Sequence, residues 1–275
     1  MKIGGPWRYG KIGILLLSTV PFLYPFVFLV ATGLKPNREF VQSSVSFPKH
    51  VTGSNLLQAW TQAQLGPAMV HSLIAVGSGV IIVLIISSAG AFWFYRHKGK
   101  LVTVLRVSLI GTMALPPPVF IIPLYVMLSG LGLTNNLLVL GVVYAAWNGS
   151  FGLYLMFAYF QQAIPVEVME AAHVDGATVA QQFWRIVMPL SKPALATLTA
   201  LAFVWSWGDL LISSILVQNP GARTLIVSTA LLNTRYNINV PVNASAALIA
   251  LIPMLCVFLI LQRYLVRGIA LGAGK

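Results

Sequence analysis

Apart from hydroxyls and lysine amines, five acids, four histidines and one cysteine are the supply of acid–base, metal-ligating or nucleophilic side chains in this 275-residue sequence. The acids are Glu39, Glu167, Glu170, Asp175 and Asp209. His50, His71, His97 and His173 lack the short intervals of a metal site. Cys256 is single, so it makes neither a disulfide nor a Cys-based metal centre within the chain and reads as a packing residue. No G-x-x-x-x-G-K-[ST] phosphate loop occurs, so the sequence supplies no nucleotide cradle of that kind. Catalytic residues, metal ligands and a cofactor of its own are therefore not expected. Three of the five acids fall together between Gln161 and Lys192. Asp209 is the one acid near an apolar segment, and it has no evident partner in the sequence.

The elements around these residues belong in a bilayer. The chain is 58% hydrophobic and 8% charged, whereas soluble domains carry about 25% charged residues. Charge is also absent over long runs: Ile12 to Leu34, Val51 to Tyr95, Val107 to Val166 and Tyr236 to Gln262. Because charge in hydrocarbon is costly and a spanning helix takes about 20 residues, these runs predict an all-α membrane protein. Six transmembrane helices are expected near 12–33, 70–95, 104–129, 137–160, 193–217 and 244–266. The runs are continuous rather than alternating, which excludes barrel strands. The first is too long for a signal core and contains Pro21 and Pro25. A tail at 1–11, one membrane domain at 12–266 with a polar loop at 161–192, and a tail at 267–275 complete the division.

The net charge of +12 follows the same alternation. Lys2, Arg8, Lys11, Arg96, Lys98, Lys100, Arg106, Arg185, Lys192, Arg263, Arg267 and Lys275 fall on one side of the predicted membrane, and Lys35, Arg38, Lys49, Arg223 and Arg235 on the other. The richer side is the cytoplasmic one, which puts both termini in the cytoplasm. The basic balance is a topology signal, and no nucleic-acid partner is expected.

The loop at 161–192 is too long for a plain helix connection. Pro165 suits a first helical position, Glu167 and Glu170 suit early turns, and Gly176 suits a helix end. Thr178 with Gln181 fits a capping box. Phe183, Ile186, Val187 and Leu190 then recur at helical spacing before Pro193. The pair reads either as a docking surface, with Ala171 and Ala172 admitting a close backbone and Glu170 and Asp175 offering charge, or as an interfacial pair lying on headgroups.

Glu170-Ala171-Ala172-His173-Val174-Asp175-Gly176-Ala177, followed by Phe183, Ile186, Pro189 and Pro193, resembles the EAA loop of binding-protein-dependent ABC importer permeases. The likeness is closest to the maltose-permease-like second membrane subunit of the carbohydrate-uptake group. It extends to Gly33-Leu34-Lys35-Pro36, to Leu115-Pro116-Pro117-Pro118 with Pro123-Leu124-Tyr125, and to Gln262-Arg263-Tyr264 with Arg267-Gly268. Met188, where Leu is common, and Gly208, where Asn is frequent, depart from it.

The resemblance implies a type I ABC importer transmembrane domain with cytoplasmic coupling helices, in a bacterial or archaeal plasma (inner) membrane. Glu170, Ala171, Ala172, Asp175, Gly176, Phe183, Ile186 and Pro189 would carry the coupling. ATP and Mg would be held by two partner ATPase copies, a second homologous permease would complete the pathway, and an extracytoplasmic solute-binding protein would deliver a sugar or sugar-like solute. Polar or flat side chains inside spans are pathway candidates: Asn148, Ser150, Trp205, Trp207 and Asp209. The competing readings are that Trp anchors helices at the interface and that Asp209 pairs with an Arg of the partner permease. Pro116, Pro117, Pro118 and Pro123 should kink the third span, as a gate or as a fixed bend. The alternative is a self-sufficient secondary transporter, which would not need the loop.

Overall fold

The computed structural model describes residues 6–116, 118–232 and 239–272. The described residues form helices and turns without strands. In order they are α1 (Pro6–Gly33), α2 (Asn37–Gln42), α3 (Ser54–Gln62), α4 (Leu65–Arg96), α5 (Lys100–Gly111), α6 (Pro118–Gly130), α7 (Leu137–Ala163), α8 (Val166–Val174), α9 (Val179–Leu190), α10 (Lys192–Trp207), α11 (Leu211–Leu216), α12 (Leu225–Ala230) and α13 (Val240–Gly272). Three helices, α4, α7 and α13, are long and apolar enough to cross a membrane alone. Two further bent pairs, α5 with α6 and α9 with α10, qualify when each is taken together, and α1 contributes an apolar stretch over Leu17–Gly33.

Two expected spans are broken rather than continuous. The third splits into α5 with a short 3-10 turn (Thr112–Ala114) and α6, inclined at 101° to each other. Leu115 turns extended before Pro116, as a residue preceding proline does. Pro117 lies outside the described residues; Pro118 opens α6 and Pro123 sits within it. The fifth breaks after Trp207. At 16 residues, α10 is about 24 Å long at 1.5 Å per residue, shorter than a hydrocarbon core of about 30 Å. Helix restarts as α11 after Gly208, Asp209 and Leu210. At the ends, α1 begins within the expected tail, and α13 continues through Arg267, while Lys275 and Arg235 lie outside the described residues.

The chain divides into two compact units. Among the described residues, one comprises residues 6–66, 228–232 and 239–252. Its centre is the end of α1, where a Cβ on Gly33 would stand 2.9 Å from Leu248 Cδ1. The Gly33 carbonyl accepts from Ser245 Oγ and from Asn55 Nδ2, both at 2.9 Å. Lys35 is 1% exposed, and its ammonium donates to the Ser43 carbonyl at 3.1 Å and to the Ser46 carbonyl. The Gly33-Leu34-Lys35-Pro36 stretch is thus a structural corner: glycine for close approach, lysine folding the following loop through backbone oxygens.

The other unit comprises described residues 67–116, 118–227 and 253–272. Here α4 meets α7 through small residues, which let backbones approach. A Cβ on Gly79 would lie 2.9 Å from the Gly141 carbonyl oxygen, and one on Gly152 would meet the Ser87 side chain. Below this contact, Phe92, Met156, Phe160, Val187, Ala194 and Leu198 form one buried cluster drawn from α4, α7, α9 and α10. Asn136 starts α7 by accepting from the amides of Leu138 and Val139, and Ile164 ends it in extended backbone before Pro165. Cys256, expected to pack, is exposed on α13. Near-uniform apolarity made its helix face unreadable from sequence.

Candidate functional site

The acidic segment becomes two short helices joined by a rigid turn. Pro165 caps α8 from outside instead of occupying its first turn. At the other end Gly176 takes φ +76°. Its amide donates to the His173 carbonyl at 3.0 Å, and the Ala177 amide donates to the Ala172 carbonyl at 2.9 Å. These are the two bonds of a Schellman termination, which needs a left-handed residue at that position. Thr178 then opens α9 with both bonds of a capping box: the Gln181 amide donates to Thr178 Oγ1 and the Thr178 amide to Gln181 Oε1.

The period inside α9 differs from the expected one. Residues Gln182–Val187 form a π-helical turn, whose hydrogen bonds run from i to i+5. Gln182 and Val187, five apart, are the buried pair. Phe183 and Ile186 are half-buried and Leu190 is exposed, so the four-residue stripe does not hold through its last member. Phe183 packs on Phe92 with ring centroids 5.3 Å apart.

Gln182 is 2% exposed and is a residue the sequence reading missed. Its Nε2 donates to the Ala177 carbonyl at 3.0 Å, and its carbonyl oxygen accepts from the Arg96 guanidinium. One side chain therefore ties the α8–α9 turn to the end of α4. Its only sequence signal is a polar residue beside an apolar stripe, which is ordinarily solvent-facing. On the open side, Glu170, Ala171, Asp175, Gly176 and Pro189 are exposed, whereas Ala172 is buried beneath α8.

A second feature is a cleft of about 780 Å³ lined by the turn after α5, by α6 and α7, and by the α10–α11 junction. Asn148, Ser150, Trp205 and Asp209 are brought together on its wall. Trp207 is not among the lining residues: it is 2% exposed and stacked on Phe203 with centroids 5.1 Å apart. Trp205 is 46% exposed and meets the edge of Phe151. Thr112, Tyr144, Trp147 and Ser206, not singled out from the sequence, line the cleft too.

Asp209 does have partners. Its carboxylate accepts from the Tyr144 hydroxyl at 2.9 Å and from the amides of Ile212 at 3.1 Å and Ser213 at 2.8 Å. It thus satisfies two of the orphan donors at the start of α11 while bonding α7. Tyr144 comes from a distant part of the sequence, which is why no partner was evident there. Asn148 donates to the Tyr144 carbonyl at 2.8 Å and to Ser206 Oγ at 3.1 Å. Its amide oxygen is buried, and no donor among the described residues reaches it. The Ser150 and Thr112 hydroxyls bond each other. The wall therefore presents aromatic faces, hydroxyls and one carboxylate, with the Asn148 amide oxygen buried behind it.

Long apolar helices, a pre-built polar helix pair at the end of α7 and a mainly apolar cleft carrying a few polar groups between helices define a multi-pass membrane protein of the transporter type. Residues 81–271 match the family described as the binding-protein-dependent transport system inner membrane component, and the chain belongs to that family. It is 32% identical over 251 residues to the melibiose/raffinose/stachyose import permease protein MelC of Bacillus subtilis, covering 91% of each chain. It is 28% identical over 266 residues to the probable starch degradation products transport system permease protein AmyC of Thermoanaerobacterium thermosulfurigenes, covering 96% of this chain and 95% of that one. Among solved structures it is similar in fold to a bacterial ABC transporter involved in the import of the acidic polysaccharide alginate. That match has a TM-score of 0.80 at 22% identity and covers 96% of this chain and 100% of the other. The family, with MelC and AmyC as relatives, favours the ABC permease over a self-sufficient secondary transporter.

Proposed function

We propose that this chain forms half of the translocation pathway of an ATP-driven importer for sugars or sugar-like solutes. It crosses the membrane six times with both termini in the cytoplasm. α1, α4, the α5–α6 pair, α7, the α10–α11 pair and α13 are the six crossings. The named solutes of the relatives are oligosaccharides and starch products, and the aromatic faces and hydroxyls of the cleft suit a ring carrying many hydroxyl groups.

Coupling is assigned to α8, Gly176 and α9. The observation that carries this reading is the contrast between their two sides. Outward, Glu170, Ala171 and Asp175 are open; inward, Ala172, Gln182 and Val187 are buried. An ATP-binding subunit seated on the outer side would move the pair as one body, and the inner contacts would pass that movement to α4, α7 and α10. Two ATPase copies holding ATP and Mg, a second homologous permease and a solute-binding protein complete the machine. Alternating access then arises from rocking of the two permease halves. This chain itself is not an enzyme.

The test is isolation of the tagged chain from gently solubilised native membranes, followed by photo-cross-linking from a thiol-attached photoreactive group, which needs no cysteine on the partner. An Ala171→Cys variant in a Cys256→Ser background should cross-link to the ATP-binding subunit, and the same variant with Cys moved to Trp205 should not. Recovery of a stable chain with no ATP-binding partner would refute the reading.

A further inference from the structure

A second cleft, about 970 Å³, opens beside the coupling pair, between the end of α4, the start of α5, the end of α7 and α8. Its floor is apolar, with Phe94, Val102, Phe157 and Ile164. Its rim holds three fixed cations, Arg96, Lys98 and Arg106, with His97 and His173, against one carboxylate, Glu170. Among the described residues no acid forms an ion pair with Lys98 or Arg106.

Two of the cations, Arg96 and Arg106, are held in place by neighbouring groups, whereas Lys98 is exposed. The Arg106 guanidinium lies over the Phe157 ring at 4.3 Å, an attraction that positions the group and leaves its N–H donors for another partner. Arg96 is anchored by the Gln182 carbonyl oxygen and by the Phe92 ring at 5.7 Å. Guanidinium forks suit phosphate oxygens. An apolar floor under a cationic rim, at the ends of membrane-spanning helices, suits a molecule with a phosphate at one end and a hydrocarbon chain at the other. Basic pockets between transmembrane helices bind anionic lipid headgroups in this way.

We propose that this cleft is a binding site for one anionic phospholipid, with its phosphodiester on Arg96, Lys98 and Arg106 and an acyl chain along Phe94, Val102 and Phe157. Glu170 and His173 of α8 line the same cleft, so the lipid braces the coupling helix against α4 and α5. Placing the lipid in the cytoplasmic leaflet rests on the orientation proposed above; the binding itself rests on the cleft alone.

The experiment uses the assembled importer, stripped of lipid in detergent and titrated with phosphatidylglycerol, phosphatidylcholine or inorganic phosphate, with native mass spectrometry and thermal melting as readouts. Phosphatidylglycerol should bind as one retained molecule and raise the melting temperature, and phosphatidylcholine and phosphate should not. Lys98→Gln with Arg106→Gln should weaken phosphatidylglycerol by about thirtyfold, the electrostatic contribution of two basic side chains, whereas Lys100→Gln with Arg185→Gln, both outside the cleft, should leave it unchanged. Lys98→Gln alone, at an exposed position, gives a smaller loss and guards against misfolding of the double variant. Equal response to both lipids, or equal loss in the control pair, overturns the proposal. Stabilisation by phosphate alone to the same extent makes it a free-anion site and overturns the lipid assignment. A Lys98→Cys probe labelled only from outside intact cells would overturn the orientation while leaving lipid binding in detergent intact.

Discussion

Replacement of Gly176 tests the coupling reading most directly. Its φ of +76° is one that residues with a Cβ adopt at a cost. A Cβ built there would meet nothing within 4 Å, so within this chain the penalty is conformational and not a clash. A left-handed position costs a non-glycine residue about 1–2 kcal/mol, a factor of about 5 to 30 in the stability of the turn. Asn tolerates that region better than Ala, and a β-branched residue tolerates it least. Uptake by the reconstituted importer should therefore fall in the order Gly176→Asn, Gly176→Ala, Gly176→Val, with the chain inserted in every case. ATP-dependent solute uptake into proteoliposomes measures this, with ATPase activity read in parallel. If Asn is as damaging as Val, crowding at the ATPase interface and not backbone strain governs the position. Wild-type uptake by Val would refute a role for this turn in coupling.

Other perturbations follow from the same geometry. Gln182→Leu removes the partner of the Ala177 carbonyl and of Arg96, and should destabilise by about 1–3 kcal/mol, seen as a lower melting temperature and weaker coupling. Asp209→Ala strips the amides of Ile212 and Ser213 of their acceptor, costing about 0.5–2 kcal/mol; Asp209→Asn should recover part of that loss, and an unchanged melt for Ala would contradict the capping role. Gly79→Val drives a side chain into the Gly141 backbone and should cost about 1–3 kcal/mol, visible as poor yield of folded protein, whereas Gly77→Val, with open space around it, should be tolerated. The Lys49 amide bonds the Glu39 carboxyl and holds it below the ordinary carboxylate range, helped by the His50 amide. With the folded value depressed, the tether is present above the unfolded value and is lost as pH falls through the folded one. Glu39→Gln should mimic the acid state at neutral pH, with faster tryptic cleavage at Lys49; an unaltered rate would argue that this loop is held by Lys35 alone.

Charge spacing made the membrane class legible, because hydrocarbon excludes charge wherever a helix lies within it. Local chemistry made the helix pair at 166–190 legible: Gly176 ends α8 and Thr178 with Gln181 opens α9 through bonds between near neighbours in sequence. What needed tertiary structure was everything joined across distance. Asp209 finds Tyr144, Gln182 finds Arg96, and Trp205 reaches the cleft while Trp207, two residues on, turns inward to Phe203. Helix faces decide those pairings, and in a chain apolar on nearly every face the sequence carries no periodic mark of which side is in. The π-helical turn within α9 is the same lesson on a smaller scale. Phe183, Ile186, Val187 and Leu190 follow a 3.6-residue rule, but burial of Gln182 with Val187 follows a five-residue one. Contacts with Phe92 and Arg96 accompany the wider turn, and the local spacing gave no sign of it.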